Sequence, residues 1–153
     1  MRYDNCPLIM DYLADIQIGS GARQDKVDHV WSNILSNYFP QPHYAVEREY
    51  YLADNTRRKA NVCVTDRRAN NPHKVIVVEA KRPSSTDPTP RQWRKARRQL
   101  QDNMLQSRAA AGKVQTMNGV PGTNILNLST NILQIDGILR ARENAIRALG
   151  NNY

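Results

Sequence analysis

A chain of 153 residues fits a single domain, which can bury roughly two thirds of its unfolded surface without disulfides or a structural metal to hold it together. Its formal net charge of +8, from 22 Lys and Arg against 14 Asp and Glu, favours polyanionic partners. Two distant cysteines, Cys6 and Cys63, and three histidines (His29, His43 and His73) without zinc-ligand spacing argue against a disulfide framework or a zinc module.

Residues Pro7 to Ile18 place Ile9, Met10, Leu13 and Ile16 at helical spacing before Gly19-Ser20-Gly21 breaks the pattern. Asp4, Asp11 and Asp15 interrupt the apolar residues of the N-terminus, so it lacks the apolar core of a signal peptide, and no run approaches the length of a membrane span. The expectation is an intracellular protein of cytoplasm or nucleus with no membrane partner, residues 1–22 forming a helical or flexible lead-in and 23–153 a single domain.

From about Gln24 to Phe39, Val27, Val30, Trp31, Ile34, Leu35 and Tyr38 follow the 3.6-residue period until Pro40, which predicts a helix. Tyr44 to Leu52, Lys59 to Thr65 and Val75 to Val78 are rich in aromatic and β-branched residues and read as three strands, the last as buried on both faces. After the turn-rich connector Ser84 to Pro90, the stripe Trp93, Ala96, Leu100 and Met104 predicts a helix to about Ala110. Trp31, Tyr38 and Trp93 all fall on apolar stripes and are expected in the core. Asn124 to Leu128 and Ile132 to Ile135 look extended, and Ile138 to Leu149 outlines a final helix. This order argues for an α/β fold with a mixed sheet flanked by helices.

The segment Val75-Ile76-Val77-Val78-Glu79-Ala80-Lys81 ends an apolar strand in two opposite charges, and alternation puts Glu79 and Lys81 on one face. Burying such charges demands pairing or a metal. The hairpin arithmetic adds a second strand to this site. A loop centred on Asn70 or Asn71 pairs residues whose numbers sum to an even value, which sets Asn61 opposite Glu79 or Lys81. The same register sets Asp66 near Lys74 or Ile76, too far along the strand to share a ligand with Glu79.

Val75 to Lys81 resembles the E-x-K strand of the PD-(D/E)xK nuclease superfamily, and the predicted order from Gln24 to about Ile135 resembles its restriction-endonuclease-like core of helix, three strands, helix and strand. Arg58 to Asp66 is similar to the preceding strand of that family, with Asn61 standing where its metal-binding Asp belongs. The resemblance implies a Mg²⁺- or Mn²⁺-dependent phosphodiesterase in which Glu79 and Asn61 hold the metal and Lys81 positions the attacking water. An Asn there removes a charge on which a hard cation depends, implying weak metal binding and impaired cleavage. Asp28 and Asp25 on the first helix, and Glu47 and Glu49 on the first strand, are candidates to compensate, although Asp25 is better explained by the positive helix N-terminus.

The helix beginning Arg91-Gln92-Trp93-Arg94-Lys95 carries the second signal. Arg91, Arg94, Lys95, Arg97 and Arg98 crowd one segment without interleaved acids, as expected for phosphate contact, and Gln99 lies one turn from Lys95. The resulting expectation is a nucleic-acid-binding nuclease, with DNA favoured over RNA. The alternative is a catalytically inactive module of the same fold that binds nucleic acid, a protein partner or a second copy of itself.

Overall fold

The computed structural model describes residues 1–51, 59–68, 72–86, 88–110 and 131–150, with side chains at 107–110 and 149–150 excepted. Within these residues the chain is a mixed α/β fold of a three-stranded antiparallel sheet and four helices. The expected strand Asn124 to Leu128 lies outside the described residues.

After a short 3-10 turn at Tyr3–Asn5, α1 spans Pro7–Asp15 and α2 spans Gln24–Tyr38. Pro7 opens α1 at the position where a helix needs no N–H. Along α2 the buried set Val27, Val30, Ile34, Leu35 and Tyr38 follows the stripe read from the sequence. Its end comes at Phe39, which leaves the helical region just before Pro40, a residue that disfavours helical backbone in the one preceding it.

Three strands follow: β1 at Tyr44–Tyr51, β2 at Lys59–Asp66 and β3 at His73–Val78. β2 is the central strand and β3 an edge. Val62 and Val64 of β2 are fully buried against Val30, Ile34 and Leu35 of α2 and Ile9 and Leu13 of α1. At about 1.5–3 kcal/mol for each fully buried aliphatic side chain, this cluster is the main source of stability. Contrary to expectation, β3 is half-buried along its whole length. Its apolar run is continuous, but among the described residues it has a hydrogen-bonded neighbour on one side only.

The hairpin register is even where the site lies. Val62↔Val78, Cys63↔Val77 and Val64↔Ile76 are partners, and an irregularity between Val64 and Thr65 then shifts the register so that Thr65↔Lys74 and Asp66↔His73 pair. The shift moves Asp66 beyond the expected Lys74 or Ile76, still farther from the charged strand end.

The helix α3 spans Pro90–Ala110. A reciprocal capping box starts it: the Gln92 N–H donates to Thr89 Oγ1 at 3.3 Å, and Thr89 N–H donates to Gln92 Oε1 at 2.7 Å. The α3 stripe packs beside β3 through Ala96, Leu100, Asn103 and Met104, but Trp93 lies at the overhanging first turn and is 40% exposed, not core as expected. Trp31 is half-buried against the core, and Tyr38 is buried.

The last helix, α4, spans Ile132–Gly150 and overturns the extended reading of Ile132 to Ile135. A four-residue segment, Ile-Leu-Gln-Ile, fits either period. The long-range spacing of Ile132, Ile135, Leu139 and Ile146 decides, because it places one apolar face against the core. Tyr38 Oη donates to Asp136 Oδ1 at 2.5 Å and pins α4 to α2, while Arg140 Nε donates to Asp136 Oδ2 at 2.9 Å. Burial pushes the Asp136 carboxyl up, but the hydrogen bonds from Arg140 and Tyr38 outweigh it and hold the group below the usual carboxylate range.

Gly137 sits inside α4, where a methyl group added at its Cα would meet no atom within 4 Å. Gly137→Ala should therefore stabilise the chain by about 0.5–1 kcal/mol through helix propensity and a less flexible unfolded state. Urea unfolding checks it; a loss of stability would show that α4 is not a regular helix at this point.

Candidate functional site

Four elements converge at the end of β3. Glu79 lies one residue past the strand, with its side chain only 4% exposed. Lys81, two residues on, places Nζ 2.5 Å from Glu79 Oε1, so the alternation inferred from the sequence does put both groups on one side. From α3, Asn103 donates through Nδ2 to Glu79 Oε2 at 3.1 Å, and Gln99 Oε1 accepts a hydrogen bond from Lys81 Nζ at 3.1 Å. Asn103 is 3% exposed and was not singled out from the sequence; its place on the apolar stripe, seven residues after Ala96, was the available signal.

Asn61 is next to this pair. The last ladder rung, Val62↔Val78, is one step short of an Asn61/Glu79 pair, and the Ala80 N–H donates to Asn61 Oδ1 at 3.0 Å. The Asn61 amide is also hydrogen-bonded to the Asp28 carboxyl of α2, an interaction in which the amide donates. One side chain thus joins α2, β2 and the end of β3, with its oxygen facing an N–H and its NH₂ facing a carboxylate. An amide does both at neutral pH, whereas a carboxylate in its place could only accept.

Asp28 is 3% exposed, and its Oδ1 has no hydrogen-bond partner. Burial pushes its carboxyl above the usual range; the Arg48 charge and the Asn61 hydrogen bond oppose that shift, and the negative charges of Glu49 and Glu79 add to it. Glu49 contributes in a second way. It holds a left-handed backbone with φ 48°, and the β1–β2 ladder skips its rung with Asn61. A side chain other than glycine in that region costs roughly 1–2 kcal/mol, and such outliers cluster at functional sites.

The remaining acids lie elsewhere. Asp25 is exposed in the first turn of α2 beside Arg23. Glu47 accepts from Thr65 Oγ1 at 2.5 Å, and Asp66 is locked to Arg68. Cys63 is free, and burial pushes its thiol up to about 12, which rules it out as a thiolate nucleophile.

The residues that could hold a divalent cation are Asp28, Asn61 and Glu79. Asp28 Oδ1 is a buried donor without a partner, as a ligand position requires, whereas Asn61 Oδ1 and both Glu79 oxygens already accept protein hydrogen bonds. Among the described residues no three His, Cys, Asp or Glu side chains are grouped closely enough to hold a metal ion. An ion would compete with the chain's own donors for all but one ligand.

On α3, Arg91, Arg94, Lys95, Arg97 and Arg98 are all exposed. A cleft of about 400 Å³ runs along the side of the helix, lined by Lys59, Lys95, Arg98, Gln99, Asp102 and Asn103. No helix among the described residues is long and apolar enough to cross a membrane. Comparison of the chain with protein-family models, with curated proteins and with solved structures finds no match.

Proposed function

We propose that the chain is a nucleic-acid-binding domain of the PD-(D/E)xK type, with a restriction-endonuclease-like core, in which metal-dependent phosphodiester cleavage is impaired at Asn61. The observation that carries the reading is the contact between Lys81 and Gln99, which sets the basic helix α3 directly beside the Glu79–Lys81 pair. A phosphodiester backbone lying along Lys95 and Arg98 would then pass the charged strand end.

In this reading Glu79 and Asp28, with the oxygen of Asn61, are the groups for Mg²⁺ or Mn²⁺, and a bound ion would supply charge stabilisation to the attacked phosphate. Lys81, half exposed, is free to swing from Glu79 to a phosphate oxygen or a water. Asn61 weakens the site because its carbonyl brings no charge and is already engaged by Ala80 N–H.

The test is incubation of the chain, Asn61→Asp and Glu79→Ala with plasmid, single-stranded DNA and RNA in Mg²⁺ or Mn²⁺, alongside a binding measurement across salt. Expected are salt-dependent binding by all three, slow or no cleavage by the native chain, and faster cleavage by Asn61→Asp. Native cleavage that Asn61→Asp does not accelerate would overturn the impairment. A chain that retains none of these nucleic acids would overturn the reading as a whole.

A further inference from the structure

The five cations at the start of α3 do not act alike. Lys95 and Arg98 line the cleft together with Gln99, Asp102 and Asn103, the set of i, i+3, i+4, i+7 and i+8 positions that forms one helical face. Arg91, Arg94 and Arg97 do not line it. The opposite wall is Lys59, the first residue of β2, so three cations face one acid, Asp102.

Lys59 also sits against an aromatic ring beside the cleft. Its cross-strand partner is Tyr51, the last residue of β1, and Lys59 Nζ sits 4.8 Å from the centre of the Tyr51 ring. Tyr51 is 50% exposed, although a tyrosine at a strand end gains nothing from water over its ring. Two of the lining residues also reach the charged strand end: Gln99 accepts a hydrogen bond from Lys81 and Asn103 donates one to Glu79.

We propose that this cleft is a binding site for single-stranded nucleic acid, with Lys59, Lys95 and Arg98 on successive phosphates and the Tyr51 ring stacked on an unpaired base. The inference deepens the nucleic-acid-binding reading above and rests on it. One observation selects a single strand over a duplex: the half-exposed Tyr51 ring beside a cation offers a stacking face for a base, which pairing and stacking hide in a duplex. The ring reads no sequence, because every base offers a π-face.

The test uses fluorescence anisotropy with labelled single-stranded DNA, single-stranded RNA and a blunt duplex of the same length, titrated across salt without divalent cations. Tyr51→Ala should weaken single-strand binding about tenfold and Tyr51→Phe should restore it, with duplex binding unchanged. Combined Lys59→Ala, Lys95→Ala and Arg98→Ala should lower the single-strand salt slope by about 2, whereas the combined alanine variant of Arg91, Arg94 and Arg97 should change that slope by much less. All of these side chains are exposed, and unfolding curves matching the native chain verify that the variants fold.

The DNA and RNA arms identify which strand is preferred. Single-strand binding that Tyr51→Ala and the cleft variant leave intact would overturn this site while the nucleic-acid reading stands. Duplex binding as tight as single-strand binding would do the same. No binding in any arm would overturn both.

Discussion

Replacing Asn61 by Asp is expected to destabilise the folded chain by about 2–4 kcal/mol at neutral pH. The Asn61 amide donates to Asp28, which is 3% exposed and already has one oxygen without a partner. A carboxylate at position 61 keeps the hydrogen bond from Ala80 N–H but loses the donor. It also sets a second negative charge against Asp28, itself within reach of the charges of Glu49 and Glu79. Either one carboxyl takes up a proton or the strand end opens, and both cost stability.

The pH dependence has a definite sign. Asp28 is already raised by burial, and the new carboxylate raises it further, so the variant's folded state holds protons that its unfolded state releases. The penalty is therefore full at neutral pH and fades as pH falls through the raised folded values to below the ordinary carboxylate range. Millimolar Mg²⁺ or Mn²⁺ should recover part of the loss, since a cation between Asp28, Glu79 and the new carboxylate binds only the folded chain. Asn61→Ala, which loses both hydrogen bonds without gaining charge, should be destabilised without rescue by cations. Denaturant unfolding at neutral and acidic pH decides the matter; an Asn61→Asp chain as stable as the native one would show that the amide is not the bridge.

This double bond of Asn61 is the part of the site that sequence could not supply. From sequence the residue reads as a missing Asp, a loss of function at one position. In the structure the amide oxygen and NH₂ face chemically opposite groups, so Asn also bridges the Ala80 N–H and the Asp28 carboxyl. By contrast, the even register at Val62↔Val78, one step short of Asn61 and Glu79, agrees with the hairpin arithmetic, although beside the loop the partner numbers sum to an odd value. The same arithmetic missed Asp66 by one residue, since an irregularity between Val64 and Thr65 has no mark in the sequence.

Helices with long apolar periods, α2 above all, were readable end to end, whereas Ile132 to Ile135 was not, because three apolar residues among four carry too little phase to separate a strand from the first turn of α4. Trp93 was misplaced for a related reason. Periodicity gives the face of a helix but not how far its neighbours cover it, and Trp93 in the first turn of α3 is left exposed. Lys59 and Tyr51 went unnoticed because each is unremarkable alone. Their pairing follows only from the β1–β2 register, in which partner numbers sum to a constant.

Arg68→Ala should cost about 3 kcal/mol, comparable to the Asn61 change but far from the site. Asp66, with its side chain 5% exposed, receives Arg68 Nη2 at 2.6 Å and Nε at 3.0 Å, and the same Nη2 donates to the Ile146 carbonyl of α4 at 2.7 Å. One guanidinium, 19% exposed, thus neutralises a buried carboxylate and ties the sheet to the last helix. Its loss leaves Asp66 with the Arg68 backbone N–H, which the alanine retains, and leaves the Ile146 carbonyl without this donor. Burial alone would push the Asp66 carboxyl up, yet the Arg68 bonds hold it below the usual range. That stabilisation is therefore present above the ordinary carboxylate range and is lost as pH falls through the lowered folded value. The gap between native and variant chains should narrow on acidification, the same direction as for Asn61→Asp but with no recovery by Mg²⁺, since no second carboxylate is created. Arg68→Lys should recover only part of the loss, because an ammonium cannot span Asp66 and the Ile146 carbonyl in the fork geometry. Denaturant midpoints for the two variants, read at neutral and acidic pH, test the argument; a gap that widens on acidification would mean that Asp66 is not the group Arg68 stabilises.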